Sequence, residues 1–340
     1  MTYFVRAIPD ALIAGYNSGA YNLTGSVIRD VATGRGVGFL QETGMMQMAL
    51  DSITKSGGNP IVGVANLALG SASMVQGRQI KGQLSEIQSS MALLQNLQFG
   101  TLAVSGLGLG VSVAGFAVML KRLKGIEKNL GSIEAKVSKV TTDRRGDEIR
   151  MIFADVGTQL EGIDTLSSRT NKVSSAEAAE RAIAVSAGRL EALFQQKSDA
   201  AQNEPIEIAD LDLLWSLAAA IRLCHEAGHR ALYSIDELSA AKELSERRAL
   251  RFLNLSQALA PDSLARLCAQ GAKDVASFTE ARRLAFPQAE TLVTGLRETV
   301  ASISSQSELA AHLIESNVSG SGYLQEISEE KEQPLLFLAA

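Results

Sequence analysis

The apolar positions change period several times along the chain, and each change marks an element. Ile80, Leu84, Ile87, Met91 and Leu94 recur at spacings of four and three, with Gln, Ser, Lys and Glu between them. That is the seam of a coiled coil. Residues 99–120 (FGTLAVSGLGLGVSVAGFAVML) then run for 22 positions without a charge, the length a helix needs to cross a bilayer core. The basic cluster KRLK follows at once, and Leu123, Ile126, Leu130, Ile133, Val137 and Val140 resume the seam at three, four, three, four, three. The order is heptad, apolar run, heptad.

Within the run, Gly106, Gly110 and Ala114 lie four apart on one helical face. Small residues at that spacing let helix backbones approach closely, as at membrane helix interfaces. With Phe116 they make the expected membrane or packing face. Gly106, Gly108 and Gly110 together cost an exposed helix about 2–3 kcal/mol relative to Ala. A chain reversal within residues 105–110 would avoid that cost. It would also pair the two heptads antiparallel and make the run the tip of a helical hairpin. Three fates fit the run: a core helix buried by its neighbours, a constitutive transmembrane helix, and a segment concealed until a trigger exposes it. A second charge-free stretch, residues 61–75, opens after Asn59-Pro60. That pair is an N-cap followed by proline at the first helical position, and the stretch has the length of a buried helix.

On either side the pattern differs. Residues 1–45 are punctuated by Gly15, Gly19, Gly25, Gly34, Gly36 and Gly38. Residues 26–31 (SVIRDV) and 37–41 (VGFLQ) flank a turn at Ala32-Thr33-Gly34-Arg35 and predict a hairpin, which Tyr3-Phe4-Val5 could join as a small sheet. Residues 143–147 (DRRGD) predict a polar break. Beyond it Ile149, Ile152, Val156, Leu160 and Ile163 share one helical face. Ser174 and Glu177 form a capping box that opens a helix to about residue 196, and residues 198–205 read as a linker. A helix is expected over residues 210–232, with starts or stops at Pro261 and Pro287. The apolar tail ending in Leu338-Ala339-Ala340 resembles bacterial ssrA degradation tags, and is expected to dock on the body.

These elements predict a mainly α protein: an elongated helical bundle with a coiled-coil hairpin, an apolar tip and a small β-prone N-terminal region. The expected divisions are 1–45, the β-prone region; 46–145, the hairpin with its apolar segment 99–120; and 146–340, a C-terminal helical bundle. Abundant Ala, Leu and Ser with 5% aromatics agree with helices of small side chains. A net charge of −5 argues against a nucleic-acid partner. Two cysteines, Cys224 and Cys268, suit a reducing compartment. Residues 1–15 lack a charged start followed by a long apolar stretch, so a signal peptide is not expected. The expected location is cytoplasmic, or associated with the inner membrane.

The layout of residues 60–143 resembles that of α-helical pore-forming toxins of the cytolysin A and haemolysin B-component type. The resemblance implies an elongated bundle that hides an apolar hairpin until it inserts, and it rests on layout without a shared sequence motif. The missing export signal and the N-terminal β-prone segment depart from it. The implied partners are a lipid membrane and further copies of this chain.

One motif points to different chemistry. His225-Glu226-Ala227-Gly228-His229 matches HExxH. In zinc peptidases two histidines one helical turn apart grip the metal, and the glutamate is general base toward the metal-bound water. HEAGH is also similar to the form in FtsH-type proteases, although the chain has no GxxxxGK[ST] segment. The alternative is therefore a zinc-dependent hydrolase with His225 and His229 as metal ligands and Glu226 as catalytic base. The metzincin extension fails, because Leu232 and Ile235 occupy its Gly and His positions. Asp236, Glu237, Glu243, Glu246 and His312 are the open choices for a third ligand. Arg222 stands three residues before His225 and four before Glu226, the spacing of a helix salt bridge. His225 falls on the apolar stripe between Ile221 and Leu232, where a core histidine is expected. Arg247, Arg248 and Arg251 read as a solvated face. The remaining alternative is a coiled-coil scaffold around a buried apolar helix.

Overall fold

The computed structural model describes residues 9–43, 142–203, 205–330 and 335–340. The heptads, the charge-free stretches 61–75 and 99–120, Tyr3-Phe4-Val5 and the expected site residues Gly106, Gly110, Ala114 and Phe116 lie outside them. The protein is mainly helical, with a small antiparallel sheet. The described helices are α1 (Asp10–Asn17), α2 (Thr142–Asp164), α3 (Lys172–Asn203), α4 (Ile208–Tyr233), α5 (Leu238–Gln257), α6 (Pro261–Ala269), α7 (Val275–Glu315) and α8 (Gly320–Glu329).

The helix starts follow from local chemistry. Asp274 accepts from the Ser277 N–H at 2.8 Å while Ser277 caps in return, which fixes the first turn of α7. Pro261 stands in the first turn of α6, where no N–H is required. Three expectations shift. The polar stretch 143–147 is helical and belongs to α2, because charged residues have fair helix propensity and its one glycine costs only about 1 kcal/mol. Helix α3 begins two residues before Ser174, with Asn171 Oδ1 accepting from Ser174 N–H, and continues through most of the expected linker. Pro287 lies inside α7. Ala285, Ala289, Leu292 and Val293, all buried, anchor the helix on both sides of it.

Helix α4 is the axis. It packs along α3 and touches α7 and α5, while α5 and α6 lie on α7 and α2 lies on α3. The main core holds the stripe Ile149, Ile152, Val156, Leu160 and Ile163 of α2, together with Ile183, Leu190 and Phe194 of α3. Leu214, Leu217 and Ile221 of α4 meet Leu292, Leu296 and Ile303 of α7 there.

The sheet has strand order β1 (Tyr21–Thr24), β2 (Val27–Asp30), β3 (Gly36–Glu42), β4 (Leu335–Ala339), every pair antiparallel. The expected hairpin is β2–β3. The fourth strand is the C-terminal tail, whose Phe337 faces Leu40 in register while Leu338 faces Phe39. The turn between β1 and β2 rests on α7. Ser26 N–H and Oγ–H both donate to Ser305 Oγ at 3.2 Å, and Ser305 passes its proton to the Ser302 carbonyl at 2.7 Å. Arg29 pairs with Glu308, and the Phe39 ring lies 5.5 Å from that of His312. Val27, Phe39 and Leu338 thereby join Tyr233, Leu313 and Tyr323 in a second, smaller core.

Candidate functional site

The HExxH turn sits in the C-terminal third of α4, where its side chains are buried. His225 and Glu226 are 2% exposed and His229 is 0% exposed. Several of its polar groups meet a neighbour, while His225 Nδ1 and Nε2 and His229 Nδ1 are buried without a hydrogen-bond partner. Arg222 Nε donates to Glu226 Oε1 at 2.8 Å, one helical turn away, and its Nη2 reaches Ser302 Oγ on α7 at 3.3 Å. His229 Nε2 lies 2.5 Å from Ser245 Oγ on α5, and that hydroxyl donates to the Ala241 carbonyl at 2.8 Å. With the hydroxyl proton committed to Ala241, the His229 Nε2–H is the donor. His225 Nε2 lies 3.5 Å from Glu191 Oε1 on α3, whose other oxygen is 3.6 Å from Arg251.

Arg248 crosses the motif from α5. It donates to the His225 carbonyl at 3.3 Å and to Glu180 Oε1 at 3.2 Å. Gly228 makes room for it, because a Cβ there would stand 2.9 Å from the guanidinium. The glycine of HEAGH is therefore a packing feature. Arg248 is also the correction to the expected solvated face: it is buried, whereas Arg247 and Arg251 are largely exposed.

The seam thus holds three ionic pairings: Arg222 with Glu226, Arg248 with Glu180, and Arg251 with Glu191. The histidines stay neutral. Burial pushes His225 down to about 4, with the Glu191 carboxylate partly opposing it. Burial, then Arg248 and His225, hold His229 well below the ordinary histidine range. Burial lowers Arg248 to about 10, against the attraction of Glu180. Cys224, beside the motif, is pushed up to about 12 by burial, and half-buried Cys268 to about 11, so both are thiols at neutral pH.

A zinc peptidase needs a third ligand and a glutamate aimed at the metal-bound water. Among the described residues no group of three His, Cys, Asp or Glu side chains is placed to hold a metal. Glu226 is engaged by Arg222. Four of the five third-ligand candidates, all but Glu237, have other contacts. Asp236 accepts from Ser321 on α8, Glu243 pairs with Arg247, Glu246 accepts from Lys242 and Ser307, and His312 stacks beside Phe39. The turn is a buried structural seam joining α3, α4, α5 and α7.

Glu180, Glu191 and Ser245, which complete the seam, escape the sequence reading because no short-range pattern connects them to α4. Among the described residues no helix is long and apolar enough to cross a membrane. No protein-family model, no curated protein and no solved structure matches the chain.

Proposed function

We propose that the chain engages a lipid membrane through residues 99–120 and self-associates through the heptads on either side, as an intracellular membrane-perturbing or pore-forming protein. The observation that carries this reading is the 22-residue run without charge, bounded by a basic cluster and by two coiled-coil seams. The likeness of that layout to α-helical pore-forming toxins supports it. The described body is consistent with a carrier. Its bundle closes a core around α4, and the side chains of the HExxH turn are buried within it.

Flotation with liposomes and release of an entrapped dye test the proposal. The expected result is co-flotation and leakage by the intact chain, both lost on Gly110→Asp while the far-ultraviolet circular dichroism of the body is retained. Failure to bind or permeabilise at any pH, lipid composition or after limited proteolysis would overturn it.

A further inference from the structure

The seam around the HExxH turn balances its charges. Arg222, Arg248 and Arg251 stand against Glu226, Glu180 and Glu191, three cations on three carboxylates. Two neutral imidazoles lie among them. His225 Nε2 is 3.5 Å from Glu191 Oε1 without a hydrogen bond, and its Nδ1 is buried with no partner. His229 Nε2–H donates to Ser245, so a second proton has to enter at Nδ1, which is buried and unpartnered as well. Either proton adds a charge to a set of carboxylates that are already paired.

The surrounding groups give the response a direction. From α3, Glu191 attracts an imidazolium at position 225, and Glu180 holds Arg248. From α5, Arg248 repels a charge on either ring and Arg251 repels one on His225. Within α4, Arg222 is paired with Glu226, Cys224 is a thiol, and the two rings repel each other once charged. From α7, the Ser302 hydroxyl meets Arg222. Attraction therefore keeps α4 on α3, and repulsion falls across the contact of α4 with α5. Burial opposes both protons most strongly, and the carbonyls of His225 and Ala241 favour the one on His229 only in part. A ring that reaches water escapes that burial and regains the ordinary affinity of 6.5. Acid below that value thus favours whatever form exposes the rings.

We infer that the seam is an acid-operated latch: protons on His225 and His229 drive α5 off α4 and admit water to the motif, while α2 and α3 stay packed. The latch belongs to the described body and holds whether or not residues 99–120 engage a membrane.

Hydrogen exchange of the full chain, read by mass spectrometry and corrected for intrinsic exchange, tests it. Between about pH 6 and pH 5 the opening constant of the α5 amides should rise toward tenfold per pH unit for each histidine, about a hundredfold for the pair. The α2 amides should keep their protection. His225→Gln and His229→Gln should each remove about tenfold per pH unit from that slope. Arg251→Gln supplies a variant that folds, because the Arg251 side chain is 70% exposed. It frees Glu191 for a protonated His225 and should lower the opening at about pH 5 by about two- to fivefold. A purely structural ion pair predicts the opposite sign, since its loss loosens the seam. The inference is overturned by an α5 slope that both histidine variants leave unchanged, by loss of α2 protection in step with α5, or by an opening that Arg251→Gln increases.

Discussion

Replacing Glu226 by leucine would remove one half of the buried pair on α4. The side chains of Arg222 and Glu226 are 5% and 2% exposed and meet at 2.8 Å. A guanidinium left there without its carboxylate keeps its desolvation cost and loses the attraction that offsets it, a penalty of about 3–5 kcal/mol. Arg222→Met should cost a similar amount, since it strands the carboxylate. The double variant Arg222→Met/Glu226→Leu replaces the pair by apolar groups of comparable size. It should lie within about 1–2 kcal/mol of the wild type, the residual reflecting the Ser302 hydroxyl that Arg222 now contacts. The two single costs should therefore be strongly non-additive. Urea unfolding followed by circular dichroism, on the four members of the cycle, reads all three quantities. Single costs below about 1 kcal/mol, or costs that simply add, would refute the buried-pair account. A metal-binding HExxH predicts another pattern, with stability that rises on addition of zinc and depends on Glu226 very little.

Two further perturbations probe the seam and the sheet. Burial holds His225 down at about 4, below its ordinary 6.5, so between those values the unfolded chain binds the proton and the folded one does not. Stability is fully present above about pH 6.5 and is lost as pH falls toward about 4, by up to something on the order of 3 kcal/mol. His229, shifted the same way, adds to the loss. Urea midpoints across this range should fall with acid, and His225→Gln should flatten the slope; a wild-type slope unchanged by that substitution would refute the assignment. In the sheet, Gly25 has φ +61° and a Cβ there would lie 2.4 Å from Ser305 Oγ and 2.8 Å from the Ala301 carbonyl. Gly19 has φ +78° with nothing within 4 Å. Gly19→Ala should cost about 1 kcal/mol of backbone strain, and Gly25→Ala about 1–3 kcal/mol more, because the turn must lift off α7. Equal losses for the two would show that the turn does not rest on α7.

What the sequence reveals depends on whether the cause is local. The α2 stripe from Ile149 to Ile163 and the first turn of α6 at Pro261 are set by period and by backbone chemistry, and both are found as read. The β2–β3 hairpin is legible for the same reason. The fourth strand is not, because β4 joins β3 from about 300 residues away, a pairing that only the fold decides. Helix α1 is also missed, since Gly15 within it and Gly19 just after it read as turn punctuation. Pro287 reads as a boundary, yet tertiary packing on both sides carries α7 through it. At the HExxH turn the sequence supplies two rival meanings for the same residues. The burial of Arg248 distinguishes them, and it was readable: Leu238, Ala241, Ser245, Arg248, Phe252 and Ser256 form one helical stripe with the arginine in its middle. The carboxylates that match it, Glu180 and Glu191, come from α3 and carry no signal of their own.

The central claim concerns residues 99–120, and dye release from liposomes tests it most directly. The intact chain should permeabilise vesicles, and Gly110→Asp, which places one charge in an otherwise uncharged span of 22 residues, should abolish release while the helical body stays folded. Release that is undiminished by the aspartate, or none from the intact chain at any pH, lipid composition or after limited proteolysis, would contradict it.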